Sequence, residues 1–155
     1  MEKKFNAGVE QVFALLTDPK WLEARSLAMG ELSAKVKAKK NAKGVNVTMD
    51  RRVHRDLPAL VAKVISPDSD LHFEEVWVRG DDGYTGTWSM EIVGQPVKAT
   101  AEFSLTASGK GCVYAIEHQA SCSIAFVGGA VAKFAQGQIE SGAMAELDYL
   151  AQSLR

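Results

Sequence analysis

Three polar side chains occupy positions in the sequence where strand alternation calls for apolar ones. Arg51 and His118 each continue the apolar side of a strand, and Glu75 stands between two aromatic residues. Burying such a group without a partner is costly. A few converging polar groups in an apolar cavity are typical of small-molecule sites. A histidine and a glutamate that face each other could also act as general acid and base.

Each of these residues also has a purely structural explanation. His118 would fit a hydrogen-bonded histidine in the core or at its rim. Glu74 and Glu75 interrupt the alternation, so a β-bulge there would make Val76 and Val78 the inward pair in place of Glu75. Arg51 could lie at the edge of the sheet and reach solvent along its aliphatic stem. The sequence leaves these alternatives open, and we assign no catalytic residue from it.

Large apolar side chains share the inward faces with these polar groups, and they would form either a cavity wall or a filled core. The predicted ligand contacts are Met49, Arg51, Phe73, Glu75, Trp77, Trp88, Met90, Phe103, Tyr114, His118 and Phe134.

The elements that position these residues follow from hydrophobic periodicity. A short strand at 2–6 precedes two helices; Asn6 is the expected N-cap of the first, and Pro19 starts the second. From Glu31 the period changes from 3.6 to 2, which predicts a hairpin followed by four further strands. The segment 57–67 fits either a short helix, which we favour, or a strand.

The last thirty residues, about 126–154, form the long helix of the chain. Its apolar stripe comprises Val131, Phe134, Ala135, Ile139, Ala143, Leu147, Leu150 and Leu154. Its first half is rich in glycine and alanine, although each interior glycine costs about 1 kcal/mol relative to alanine. We therefore expect the small residues, Gly137 and Gly142 among them, to form a wall over a cavity, and a ligand to fill that space.

This order predicts an α+β fold in a single domain, residues 1–155. Strands joined by tight turns form an antiparallel sheet. Its apolar face needs a cover, and the terminal helix is the only element long enough. The expected architecture is a curved sheet of about seven strands wrapped around that helix, with two short helices after the first strand.

Several local motifs resemble the START/polyketide-cyclase (SRPBCC, Bet v 1-like) superfamily and one of its bacterial branches of unknown function. They are Val12 to Asp18 with Pro19-Lys20-Trp21, Leu57-Pro58, Tyr84-Thr85-Gly86-Thr87-Trp88 and Phe126-Val127-Gly128-Gly129. The resemblance implies a helix-grip fold that encloses a hydrophobic cavity. It implies binding of a lipid or polyketide-like molecule, or, as an alternative, a cyclase or dehydratase. A protein-interaction module without a cavity is a third possibility.

Composition narrows the classes further. The net charge of −1 gives no general attraction to nucleic acid, and no apolar run is long enough for a membrane span. The amino terminus lacks a signal-peptide core, so we expect a cytoplasmic protein. Cys112 and Cys122 should be free thiols, since ten residues of strand separate them. No metal-ligand spacing or cofactor loop is present, and the oligomeric state is not indicated.

Overall fold

The computed structural model describes residues 1–155 as seven strands and four helices. The strands are β1 Glu2–Phe5, β2 Ser33–Lys40, β3 Gly44–His54, β4 Asp68–Arg79, β5 Gly83–Ile92, β6 Val97–Ser108 and β7 Gly111–Cys122. The helices are α1 Val9–Leu16, α2 Pro19–Ala28, α3 Ala59–Ala62 and α4 Gly128–Ser153.

The strands form one antiparallel sheet in the order β1-β7-β6-β5-β4-β3-β2. The sheet is curved but not closed, so β1 and β2 are its edges, and α4 packs along its concave face. The α+β class and the helix-grip arrangement predicted from the sequence are thus confirmed. The segment 57–67 forms the short-helix alternative, α3. Both cysteines are free and lie in β7.

The first two helices begin differently from one another. Asp18 caps α2 by accepting a hydrogen bond from the Lys20 amide at 3.2 Å, and Pro19 follows at the first helical position. The predicted N-cap Asn6 is wrong for α1. The N-cap is Gly8, without a side-chain hydrogen bond, because β1 runs to Phe5 and the intervening residues form a bend.

One end of the concave face is filled by an aromatic cluster of Phe13, Trp77, Tyr84, Phe103 and Tyr114. Its ring centroids lie as close as 3.9 Å between Phe13 and Tyr84, and 4.6 Å between Trp77 and Phe103. Such offset and tilted pairs add stability beyond the area they bury.

Gly86 makes room for this cluster. It pairs with Trp77 on one side and Phe103 on the other. A Cβ atom at position 86 would lie 2.3 Å from the Phe103 ring and 2.2 Å from the Val76 carbonyl oxygen. A side chain there would force the rings or the backbone apart.

Helix α4 covers the sheet with Val131, Ala135, Leu147 and Leu150, all buried. The expectation that Gly137 faces the sheet is wrong, because this residue is exposed and a Cβ atom there would have no neighbour within 4 Å. Ala135 is the alanine of the stripe that is buried.

None of the four helices combines the length and the apolar composition that a bilayer crossing requires.

Gly86→Ala should lower the free energy of unfolding by about 1–3 kcal/mol, because the new methyl group overpacks the aromatic cluster. Gly137→Ala should raise it by about 1 kcal/mol, because alanine is the better helix former and meets no neighbour. Urea denaturation of both variants measures the two changes. Equal stability of Gly86→Ala and the wild type would contradict the close packing described here.

Candidate functional site

A cavity of about 140 Å³ lies between α4 and the part of the concave face that the aromatic cluster leaves open. Its lining comes from α2, β3, β4, β5, β7 and α4, and from the α2–β2 and β3–β4 connections. Exposed residues in that lining, Ser66, Gln138 and Gly142, place its mouth between this connection and α4. The volume is close to the ~150 Å³ of an engineered apolar cavity that binds benzene.

The predicted ligand contacts divide between the two ends of the concave face. The cavity lining includes Met49, Arg51, Phe73, Glu75, Trp88, Met90, His118 and Phe134. The structure does not bring Trp77, Phe103 and Tyr114 to the cavity, because these rings pack into the aromatic cluster. Strand alternation correctly predicts that these side chains share one face of the sheet. It does not predict their position along the strands, and that position decides whether a side chain reaches the cavity or the aromatic cluster.

Glu75 faces inward from an uninterrupted strand. It pairs with Val47 on β3 and Trp88 on β5, so the β-bulge alternative is wrong. Its Oε2 accepts a hydrogen bond from Trp77 Nε1 at 2.8 Å. Burial raises the pKa of Glu75, and the hydrogen bond from Trp77 offsets this only in part. The protonated carboxyl is therefore favoured relative to an exposed glutamate.

The imidazole ring of His118 packs against Trp88 and does not pair with a carboxylate. The two rings meet edge-on at 4.7 Å. The backbone of this segment is held by Gln136, whose Nε2 donates to the His118 carbonyl oxygen and whose Oε1 accepts from the Ala120 amide, each at 2.7 Å. Burial lowers the pKa of His118 and so favours the neutral imidazole.

Glu75 and His118 do not form an acid–base pair. Trp88 and Ala101 stand between them in the strand pairing, which separates their backbones by three strand spacings, about 14 Å. No hydrogen bond joins the two side chains.

Arg51 lies in the charged end of the cavity and is 6% exposed. Strand β2 pairs outside β3, so the sheet-edge alternative for Arg51 is wrong. Its Nη1 donates to Glu146 Oε1 at 2.8 Å, and its guanidinium lies 4.3 Å from the centroid of Phe73.

Glu146 Oε2 also lies 3.4 Å from Arg25 Nη2 in a second ion pair, so one carboxylate joins two buried arginines. Burial alone would raise the pKa of Glu146, but the charges of Arg25 and Arg51 outweigh it and lower the pKa. Glu31 extends the network, with Oε1 at 3.4 Å from Arg55 and 4.0 Å from Arg51.

Two guanidinium donors of this network have no acceptor. The Nε atoms of Arg25 and Arg51 are buried and make no hydrogen bond. Both side chains line the cavity, and the two Nε atoms lie fully buried behind its surface.

Sequence reasoning missed Arg25, Glu31 and Glu146. Glu146 follows Ile139 by seven residues and therefore lies on the apolar stripe of α4, which is a detectable signal. Arg25 likewise follows the buried Leu22 by three residues. Glu31 lies between α2 and β2, where no periodicity marks it.

The outward histidines lie on the convex face, away from the cavity. His72 Nδ1 is 2.7 Å from Asp50 and its Nε2 is 3.2 Å from Glu74, while His54 pairs with Asp68. No group of three or more His, Cys, Asp or Glu side chains is arranged to hold a metal ion.

Glu146→Gln should lower the free energy of unfolding at pH 7 by about 2–3 kcal/mol. This is below the ~3–5 kcal/mol for breaking a fully buried pair, because Glu146 keeps some solvent contact. Since the folded pKa is lowered, the stabilisation exists above the unfolded pKa and is lost as pH falls through the folded one.

Denaturation curves of Glu146→Gln and the wild type should thus converge at acidic pH. Asp148→Asn is the matched control on the same helix, since its ion pair with Lys3 is exposed and contributes at most about 1 kcal/mol. A Glu146→Gln variant as stable as the wild type at pH 7 would refute the structural role of these ion pairs.

Glu75→Gln should raise stability at neutral pH, because glutamine removes the ionised form that burial disfavours. A raised folded pKa means that the wild type keeps its full stability below the unfolded pKa and loses part of it as pH rises. The gain should therefore vanish at low pH. Glu102→Gln on the convex face is the control in the same denaturation series, and a pH-independent effect of Glu75→Gln would contradict the assignment.

Known structures share this fold. The protein TTHA0849 from Thermus thermophilus aligns with a TM-score of 0.65 at 16% identity, over 98% of this chain and 92% of that one. The protein Ms6760 from Mycobacterium smegmatis aligns with a TM-score of 0.59 at 14% identity, over 99% and 87%. An uncharacterised Rhizobium leguminosarum protein gives 0.59 at 12% identity, over 98% and 90%.

At these identities the similarity concerns the fold and carries no function. No curated protein matches the chain. Residues 1–154 match the family described as "Protein of unknown function (DUF2505)". This protein therefore belongs to the DUF2505 family.

Proposed function

We propose that this protein binds a small, largely apolar molecule in the cavity beneath α4, as a member of the START/polyketide-cyclase (SRPBCC) superfamily. The observation that carries the proposal is the cavity itself. It reaches the surface and joins an apolar wall to a cluster of buried charges. A few fixed polar groups in a mainly apolar pocket are how small-molecule sites are built.

The apolar wall supplies the affinity. Phe73 and Trp88 lie with their ring centroids 5.8 Å apart, and Met49, Met90 and Phe134 complete the surface. Each Å² of apolar ligand surface removed from water contributes about 25 cal/mol. The methionines add adaptability, because their unbranched side chains adjust to ligand shape.

The size of the cavity favours a compact ligand. Drug-sized pockets hold roughly 300–1,000 Å³, whereas about 140 Å³ admits a single ring or a short branched chain. A lipid or a polyketide would require α4 and the β3–β4 connection to move apart. That connection contains only the four-residue α3, so it is the part of the wall best able to yield.

A cyclase or dehydratase is not favoured by any contact in the cavity. Such a reaction needs an acid and a base on opposite sides of one substrate. The backbones of Glu75 and His118 are about 14 Å apart. Glu75 is hydrogen-bonded to Trp77 and the His118 ring meets Trp88, so no contact directs both groups at one small substrate.

Two helical glycines provide a matched test. Both Gly137 and Gly142 have space for a Cβ atom, but only Gly142 lines the cavity. Gly142→Leu should weaken the binding of toluene and indole at least tenfold, because the leucine occupies the mouth. Gly137→Leu should bind them as the wild type does, as measured by calorimetric titration and by the rise in melting temperature.

The proposal fails if neither toluene nor indole raises the melting temperature of the wild type. It also fails if the two leucine variants bind equally well.

A further inference from the structure

We infer that the ligand carries a carboxylate, which Arg25 and Arg51 hold at the charged end of the cavity. This inference rests on the proposed function and specifies the chemical class of the molecule bound there.

The first argument concerns hydrogen-bond donors. An arginine presents five N–H groups and no acceptor. Arg51 uses Nη1 for Glu146, and its Nη2 has only the Met49 sulfur, at 3.5 Å. The Nε–H groups of Arg25 and Arg51 have no partner although both residues are more than nine-tenths buried. A buried donor without an acceptor is a costly arrangement. Both guanidinium groups line the cavity, and an anion at that end would offer Arg51 Nη2 a stronger acceptor than the Met49 sulfur.

The second argument concerns charge. The cavity lining contains three arginines and three glutamates. Glu31 and Glu146 each lie within 4.0 Å of an arginine, whereas Glu75 forms no ion pair and bonds Trp77 instead. Burial also raises the pKa of Glu75, which favours its neutral form. Three arginines therefore share two ion-paired carboxylates, so this end of the cavity has guanidinium donors to offer an anionic group.

The third argument concerns position. The Arg51 guanidinium lies 4.3 Å from the centroid of Phe73, and the Phe73 ring lies 5.8 Å from Trp88. The charged end therefore adjoins the aromatic wall directly. A molecule with a carboxylate on a small ring matches both regions, and benzoate is the simplest compound of that shape.

The test compares three ring compounds that differ in charge. Benzoate, benzamide and toluene are titrated into the full chain at pH 7 by calorimetry. Benzoate should bind at least tenfold more tightly than its neutral isostere benzamide, since planar guanidinium donors recognise carboxylates best.

Side-chain variants locate the interaction. Arg51→Gln should weaken benzoate binding at least tenfold and leave toluene binding within twofold. Arg52→Gln is the matched control, because the neighbouring arginine lies on the convex face and pairs with Asp70.

Arg51→Gln leaves Glu146 with one arginine, so circular dichroism must show that the variant is folded. If it is not, the double variant Arg51→Gln/Glu146→Gln removes both charges together, and the same benzoate-to-toluene comparison applies.

Each outcome decides a different question. Toluene binding without a preference for benzoate over benzamide overturns the carboxylate inference and leaves the proposed function standing. Equal loss of benzoate binding in Arg51→Gln and Arg52→Gln also overturns it. Failure of all three compounds and of indole to bind overturns both proposals.

Discussion

The carboxylate of Glu146 connects three of the elements that enclose the cavity. It joins α4 to α2 through Arg25 and to β3 through Arg51. Buried ion pairs seldom stabilise a fold more than well-packed apolar residues would, but they require a defined geometry. The apolar stripe of α4 ensures that the helix covers the sheet. The ion pairs then determine where along the sheet it lies, and they keep that end of the concave face from being filled by side chains.

The two ends of the concave face consequently differ. At one end Gly86 lets Trp77 and Phe103 approach to 4.6 Å, and the rings interdigitate. At the other end the guanidinium groups must stay near their carboxylates, so the apolar side chains around them cannot close the remaining space. The same alternating strands thus build a packed core and an open cavity within one continuous sheet.

Local patterns predicted most of this structure, and their failures share a cause. Alternation and turn residues predicted the strands, their order along the chain and the inward direction of the Arg51 and Glu75 side chains. Alternation assigns a side chain to a face but not to a height along it, so Trp77 could not be separated from Trp88. The partner of Arg51 lies 95 residues away, and no local period connects them. The glycine content of α4 led us to expect Gly137 and Gly142 on the same wall of the cavity. At 100° per residue the two positions lie about 140° apart around the helix, so only one of them can face it.

Several unfavourable contributions to the folding free energy coincide at the cavity. An empty volume near 140 Å³ costs up to about 3 kcal/mol at roughly 24 cal/mol per Å³, an upper bound here because its mouth meets solvent. A part-buried Glu75 without an ion pair and two buried guanidinium donors without acceptors add to that cost at the same end of the molecule. Domains are stable by only about 5–15 kcal/mol, so unfavourable terms of this size are a substantial fraction of the total. Elsewhere the same sheet packs its side chains closely, which means that these costs are not a general property of the fold. The proposed carboxylate ligand would fill that space and bring an acceptor to the arginines, so its binding would offset these costs at the place where they arise.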